Sequence, residues 1–135
     1  MKLGRWIIGV AIALCCAPLA MAQGYPNKTV HFIVPFTAGS ATDILARTFG
    51  QKLSEMWGQS VIVENRPGAG GTIGAAVVAK SAPDGYTLLV NSAAQAYNAS
   101  IYPTLSYDTS KDFVEIAPLA GQPNVLVVAP ATGIK

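Results

Sequence analysis

Cysteine occurs only as Cys15 and Cys16, side by side in an apolar run near the start of this 135-residue chain. Beyond them there is none, which excludes a disulfide framework and thiolate metal sites from the rest of the sequence. Histidine is almost as scarce: His31 is the only one, inside a strand-like stretch, and no His/Asp/Glu set shows metal-ligand spacing. No serine stands in a Gly-x-Ser-x-Gly elbow and no Gly-Lys-Ser/Thr closes a P-loop. Nothing after Ala22 is apolar for long enough to span a bilayer, which takes about 20 residues. These absences leave catalytic constellations poor, make an enzyme the weaker expectation, and leave no helix-length apolar span after Ala22.

The N-terminus carries its own pattern. Lys2 and Arg5 precede an apolar run from Trp6 to Cys16, and Ala20-Met21-Ala22 supplies a small-x-small ending before Gln23. That order is a secretory signal peptide with cleavage after Ala22. An uncleaved anchor is the competing reading, and the short apolar core argues against it. A lipid-anchored cysteine would need a small residue before it, where Leu14 and Cys15 stand. Cleavage removes both cysteines together with Lys2 and Arg5. The remaining 113 residues then hold seven basic and seven acidic side chains. In this formally neutral chain no basic patch points to nucleic acid or to an anionic membrane surface.

What is present alternates between two periods. Thr29–Val34 is short, β-branched and apolar, ended by Pro35: a buried strand. From Asp43 to Trp57, Leu45, Phe49, Leu53 and Met56-Trp57 recur at helical spacing, with Thr42 placed as N-cap and Gly58 as the stop. Ser60–Glu64 reads as a second strand and Thr72–Lys80 as a helix of small residues. Pro83-Asp84-Gly85 makes a turn into a third strand, Tyr86–Asn91. Beyond it the helical rhythm is lost, and Val114–Ile116 and Val125–Ala129 read as extended segments. No internal repeat or low-complexity tract stands out. The pattern predicts an α/β fold, βαβαβ with a parallel sheet and right-handed crossovers. Ligands of such sheets bind outside the carboxyl ends of the strands, which nominates Pro35–Thr42, Asn65–Gly71 and Asn91–Gln95.

The three loops differ in chemistry. Gly68, Gly70, Gly71 and Gly74 nearly match a dinucleotide fingerprint. However, Ile73 occupies the third glycine position, Gly74 comes one residue late, and the run follows the second strand rather than the first. Left-handed backbone and close helix–sheet approach explain these glycines better than a pyrophosphate does. Pro35 to Thr42 ends a strand in Phe36 and the small run Thr37-Ala38-Gly39-Ser40-Ala41, then opens a helix. Small side chains leave N–H groups uncovered, and a helix start has four without intrahelical partners. The macrodipole adds about 0.3–1 kcal/mol for an anion there. Together these form a carboxylate seat without Lys or Arg. Asp43 would repel an anion but could receive an ammonium or hydroxyl of the same ligand; pairing with Arg47 at i,i+4 is the equal alternative. Local turn bonding competes with ligand contact for Thr37 and Ser40. Ser92, Ala93 and Gln95, small or polar after the third strand, form a second wall or an ordinary surface loop. Tyr97 and Tyr102 could border the pocket, while Phe49, Trp57 and Tyr86 look like core.

Four blocks, YPNKTVHFIVPFTAGSATDILAR, GQSVIVENRPGAGGTIGA, APDGYTLLV and YDTSKDF, resemble the TctC/Bug family in order and spacing. These are extracytoplasmic solute-binding receptors of tripartite tricarboxylate transporters, and the resemblance runs from Tyr25 to Lys135. It implies the first lobe of a type II periplasmic-binding-protein-like (Venus flytrap) fold, with strand order 2-1-3. In that order Pro35–Thr42 and Ser92–Gln95 meet at the cleft, with the glycine-rich loop beside them. It further implies a small organic carboxylate ligand held by backbone amides and water in the loop matching Phe36–Asp43. No cofactor is implied. The partners it implies are membrane transporter subunits or a sensor kinase. The chain departs from the family's pattern where Ser40 stands for a second glycine, and where Ala93, Ala94 and Gln95 replace a hydroxyl and a histidine.

The organisation expected from the resemblance is a signal peptide over 1–22, a partial first lobe over 23–113, and an extended crossover over 114–135 towards a second lobe. Family chains are longer, so this one is expected to be an N-terminal piece that binds ligand weakly if at all, since closure by hinge bending needs both lobes. The rival function is an exported α/β enzyme or nucleotide-binding protein built on Gly68–Gly74.

Overall fold

The computed structural model of the chain describes residues 24–121 together with 123, 127, 129 and 131. The leader and the cleavage after Ala22 expected from the sequence, and three of the five residues of Val125–Ala129, lie outside the described residues. The elements run β1 (Val30–Val34), α1 (Ala41–Trp57), β2 (Val61–Asn65), a single 3₁₀ turn (Ala69–Gly71), α2 (Thr72–Ala79), β3 (Thr87–Leu89) and α3 (Ala94–Ile101).

The three strands form one parallel sheet in the order β2-β1-β3. β1 is central, with Phe32 in register with Val63 on one side and with Leu88 on the other. The pleat sends Val30, Phe32 and Val34 to one face, where they form the core with Ala46 of α1 and Val90. Each of these buried valine and phenylalanine side chains contributes roughly 1.5–3 kcal/mol. Ile33 points to the other face and is buried as well. Pro35 continues that parity and meets α2 at Gly74, where an added Cβ would stand 2.8 Å from Pro35 Cβ. A central strand covered on both faces explains why its sequence is a near-continuous apolar run.

Helix α1 starts two residues before the expected Asp43, and its cap is Ser40 rather than Thr42. Ser40 is extended (φ −66°, ψ 158°) and its hydroxyl accepts from Asp43 N–H at 3.2 Å. Gly58 ends the helix in the left-handed region at φ 65°, donating to Ser54 O at 3.0 Å. The buried stripe also differs from the expected one. Ala46 and Gly50 face the sheet with Leu53 and Trp57 alongside, whereas Met56 is 77 % exposed. Small residues let the backbone approach so closely that a Cβ on Gly50 would sit 3.2 Å from Val61 Cγ1. The larger Leu45 and Phe49 lie half-buried at the margins.

α3 was not expected from the sequence. Its one buried residue is the polar Asn98, while Tyr97 and Ile101 are exposed, so apolar periodicity could not reveal it. Val114–Ile116 forms no strand, and Val114 and Ile116 lie open to solvent. At the amino end of the sheet, Tyr86 clasps the segment before β1. Its hydroxyl donates to Asn27 Oδ1 at 2.8 Å and accepts from Asn27 N–H at 3.0 Å. Lys28 pairs with Asp84 at 3.0 Å and lies 4.3 Å from the Tyr86 ring centroid.

Candidate functional site

All three nominated loops leave the carboxyl end of the sheet. That follows from parallel strands alone, since each strand points the same way. The first loop, Phe36 to Ser40, drops from β1 into α1 and is exposed at Thr37, Ala38 and Gly39. It folds over its own helix: Ser40 N–H donates to Thr37 O at 3.2 Å, and Gly39, at φ 81°, donates its N–H to Asp43 Oδ2 at 2.9 Å. Gly39 needs that left-handed conformation to aim its N–H back at the helix.

Asp43 is the anchor of this loop. It is 2 % exposed, and both oxygens are occupied. Oδ2 accepts from Gly39 N–H and from Arg47 Nε at 3.1 Å. Oδ1 accepts from Asn65 Nδ2 at 2.9 Å and lies 3.0 Å from an Arg47 guanidinium nitrogen. The Arg47 bond first, then Gly39 N–H and Asn65, hold the carboxyl at about 2, well below the usual carboxylate range. Of the two roles open to Asp43, the geometry supports the i,i+4 pairing; no lone pair is left aimed at a ligand. Asn65 was not singled out from the sequence. It ends β2 and ties Phe36 O (3.0 Å), Asp43 and, through its Oδ1, Arg47 (2.9 Å) into one network.

With Asp43 N–H taken by Ser40 and Ile44 N–H by Ser40 O, the donors left at the helix start are Ala41 and Thr42. Neither N–H, nor that of Ala38, finds an acceptor among the described residues. A helix start with free amide protons and a positive dipole end can offer both to an anion. Ser40 Oγ is engaged as the cap, so its hydroxyl is a structural group first.

The wall after β3 is partly self-bonded. Asn91 Oδ1 accepts from Ser92 N–H at 2.8 Å, Ser92 Oγ from Ala94 N–H at 3.3 Å, and Ala93 O from Ala96 N–H at 3.1 Å. Gln95 turns inward, where its Oε1 accepts from Asn91 Nδ2 at 2.9 Å and its Nε2 is buried without a partner among the described residues. Gln95 therefore reaches a ligand only after a rotamer change, while Ser92 and Ala93 are exposed as they stand.

The glycine-rich loop packs rather than presents a cradle. Gly68, Gly70 and Gly71 all have positive φ, and Gly71 N–H closes onto Gly68 O at 2.9 Å. Gly74 is hemmed by Pro35 Cα and Arg66 O, both 2.9 Å from a built Cβ. Tyr102 lies against Gly70, whereas Tyr97 points to solvent. His31 is hydrogen-bonded to Glu64 at 2.7 Å on the sheet's second face, away from the first loop's network. Among the described residues no three His, Cys, Asp or Glu side chains gather in a group that could hold a metal ion. None of the helices there is long and apolar enough to cross a membrane.

A family model described as tripartite tricarboxylate transporter family receptor matches residues 45–135. BugT of Bordetella pertussis is 41% identical over 128 residues, which cover 92% of this chain and 39% of BugT. A UPF0065 protein of Pseudomonas sp. strain P51 is 38% identical over 126 residues, 92% of this chain and 38% of that one. Among solved structures, a Rhodopseudomonas palustris protein with adipate is 40% identical with a TM-score of 0.61, over 64% of this chain and 29% of its own. MatC from Rhodopseudomonas palustris with bound malate is 38% identical with a TM-score of 0.60, over 66% of this chain and 31% of its own. The chain thus spans less than two fifths of the length of these curated relatives.

Proposed function

The chain belongs to the tripartite tricarboxylate transporter receptor family, and on that premise we propose that it forms the ligand-seating part of a periplasmic solute-binding receptor for small organic carboxylates. The observation that carries the reading is the pair of unbonded N–H groups, Ala41 and Thr42, at the capped start of α1. Two structural relatives, seen with adipate and with malate, hold dicarboxylates, the chemistry such a seat accepts.

In this reading the ligand's carboxylate lies over Ala38, Gly39, Ala41 and Thr42, with Phe36 and Thr37 forming one rim and Ser92, Ala93 and Gln95 the other. Asp43 holds the loop in place and does not touch the ligand. No covalent step is involved: capture is anion recognition by fixed amide dipoles. Segments 1–22, 23–113 and 114–135 act as export signal, first lobe and crossover, with cleavage after Ala22 placing the receptor in the periplasm. The loaded receptor delivers its ligand to transporter subunits in the membrane or presents it to a sensor kinase.

A thermal-shift screen of the exported chain with di- and tricarboxylates on one side and NAD and ATP on the other tests the reading. Stabilisation by carboxylates alone supports it. Stabilisation by nucleotides alone would transfer the function to Gly68–Gly74 and end it.

A further inference from the structure

Only two polar or charged side chains are counted as buried among the described residues, Asp43 and Asn98. Asp43 fixes the first loop. We propose that Asn98 is its counterpart: a positioning residue on α3 that holds the glycine-rich loop against the base of the carboxylate seat. The inference rests on the reading of that seat given above.

The glycine-rich loop needs holding. Gly68, Ala69, Gly70 and Gly71 have φ of 136°, 46°, 62° and 95°, four positive values in succession. Ala69 is the one non-glycine residue among them, and a Cβ disfavours that region. Such a run persists only where surrounding contacts over-determine it. Two come from within, Gly71 N–H to Gly68 O and Thr72 N–H to Ala69 O. The bond from outside the loop is Asn98 Nδ2 to Gly70 O at 3.1 Å.

The loop is also a thin slab between two walls. A Cβ on Gly70 would stand 2.9 Å from Tyr102 Oη and 3.4 Å from Asn98 Oδ1, both on the α3 side. A Cβ on the next residue, Gly71, would stand 3.4 Å from Pro35 Cβ and 3.7 Å from Phe36 Cζ. Asn98 therefore holds one face of a layer whose other face backs Pro35 and Phe36, where the proposed seat begins. Asn98 is 3 % exposed, and an amide buried that deeply costs stability unless it is hydrogen-bonded. Gly70 O supplies that bond, and the bond in turn fixes Gly70. Because α3 follows Ser92 and Ala93 directly, the same bond ties the element after that segment to the glycine-rich loop.

The test compares Asn98→Leu, which keeps bulk and removes the donor, with Asn98→Asp, which keeps shape and sets an anion against Gly70 O. Amide hydrogen exchange and ¹⁵N–¹H shifts are followed in the exported chain, and adipate is the titrated probe. The proposal expects Gly71 N–H to exchange about tenfold faster in both variants. It also expects shifts at Phe36 and Gly39 with β1 and the Tyr86 clasp unchanged, and adipate binding weakened. Uniformly faster exchange across β1, β2 and β3, or an unmoved Gly68–Gly74, would overturn it. Should the unaltered chain not respond to adipate, the seat reading fails, while the exchange data still decide the role of Asn98.

Discussion

Asn65 Nδ2 lies 2.9 Å from Asp43 Oδ1 and 3.0 Å from Phe36 O, so the last residue of β2 fastens both ends of the loop that leaves β1. A half-buried amide that bonds one carboxylate and one backbone carbonyl contributes about 1–3 kcal/mol. Asn65→Ala is expected to lower the urea midpoint by a corresponding amount. An unchanged midpoint would show that the loop is held by other means.

Asp43 makes stability depend on acid. Its carboxyl sits at about 2 in the fold against an ordinary 3.8. Its contribution is therefore complete above the ordinary value and is lost as pH falls through about 2. Glu64, Asp84 and Asp108 are also held below their usual values and titrate in the same direction. The difference between the native chain and Asp43→Asn isolates the Asp43 part. Denaturation curves should show Asp43→Asn the less stable at neutral pH, with the gap closing between about pH 4 and pH 2. A gap that stays constant contradicts the assignment.

Gly74→Ala sets two effects against each other. Alanine favours a helix over glycine by about 1 kcal/mol. Here its Cβ would meet Pro35 Cβ at 2.8 Å and the Arg66 carbonyl at 2.9 Å, atoms that cannot move aside cheaply. Overpacking of this kind costs about 1–3 kcal/mol, and the net effect should be destabilising. Thermal unfolding reads it directly; a stabilised variant would mean α2 is free to move off β1.

Tyr86→Phe removes the hydroxyl that both donates to and accepts from Asn27. Because the site is exposed, the loss in global stability should stay near 1 kcal/mol. Exchange at Asn27 and Lys28 should rise more than exchange in α1. Equal protection in both forms would remove the clasp from the account.

The strands, α1 and α2 were legible because each is an apolar, periodic or small-residue run, with stops such as Pro35 after β1 or Gly58 after α1. That a loop of small residues runs from β1 straight into a helix start was legible too. Asn65 and Asn98 were not. Each is a polar residue whose side chain bonds a backbone carbonyl in another segment, Phe36 O or Gly70 O, and sequence spacing carries no trace of that. The buried stripe of α1 was misplaced for a related reason. Ala46 and Gly50 pack by closeness rather than by size, so the bulky Met56 drew the expected face round towards solvent.

Adipate titrated into the ¹⁵N-labelled exported chain, with and without Ala41→Pro, tests the central claim most directly. Proline fits the first helical position, and Ser40 already has the extended backbone it demands of its predecessor. The variant should fold unchanged and lose one amide donor. The account expects the largest shifts at Ala38, Ala41 and Thr42 in the native chain, and about tenfold weaker binding in the variant. Shifts centred on Gly68–Gly74, or undiminished affinity in Ala41→Pro, would contradict it.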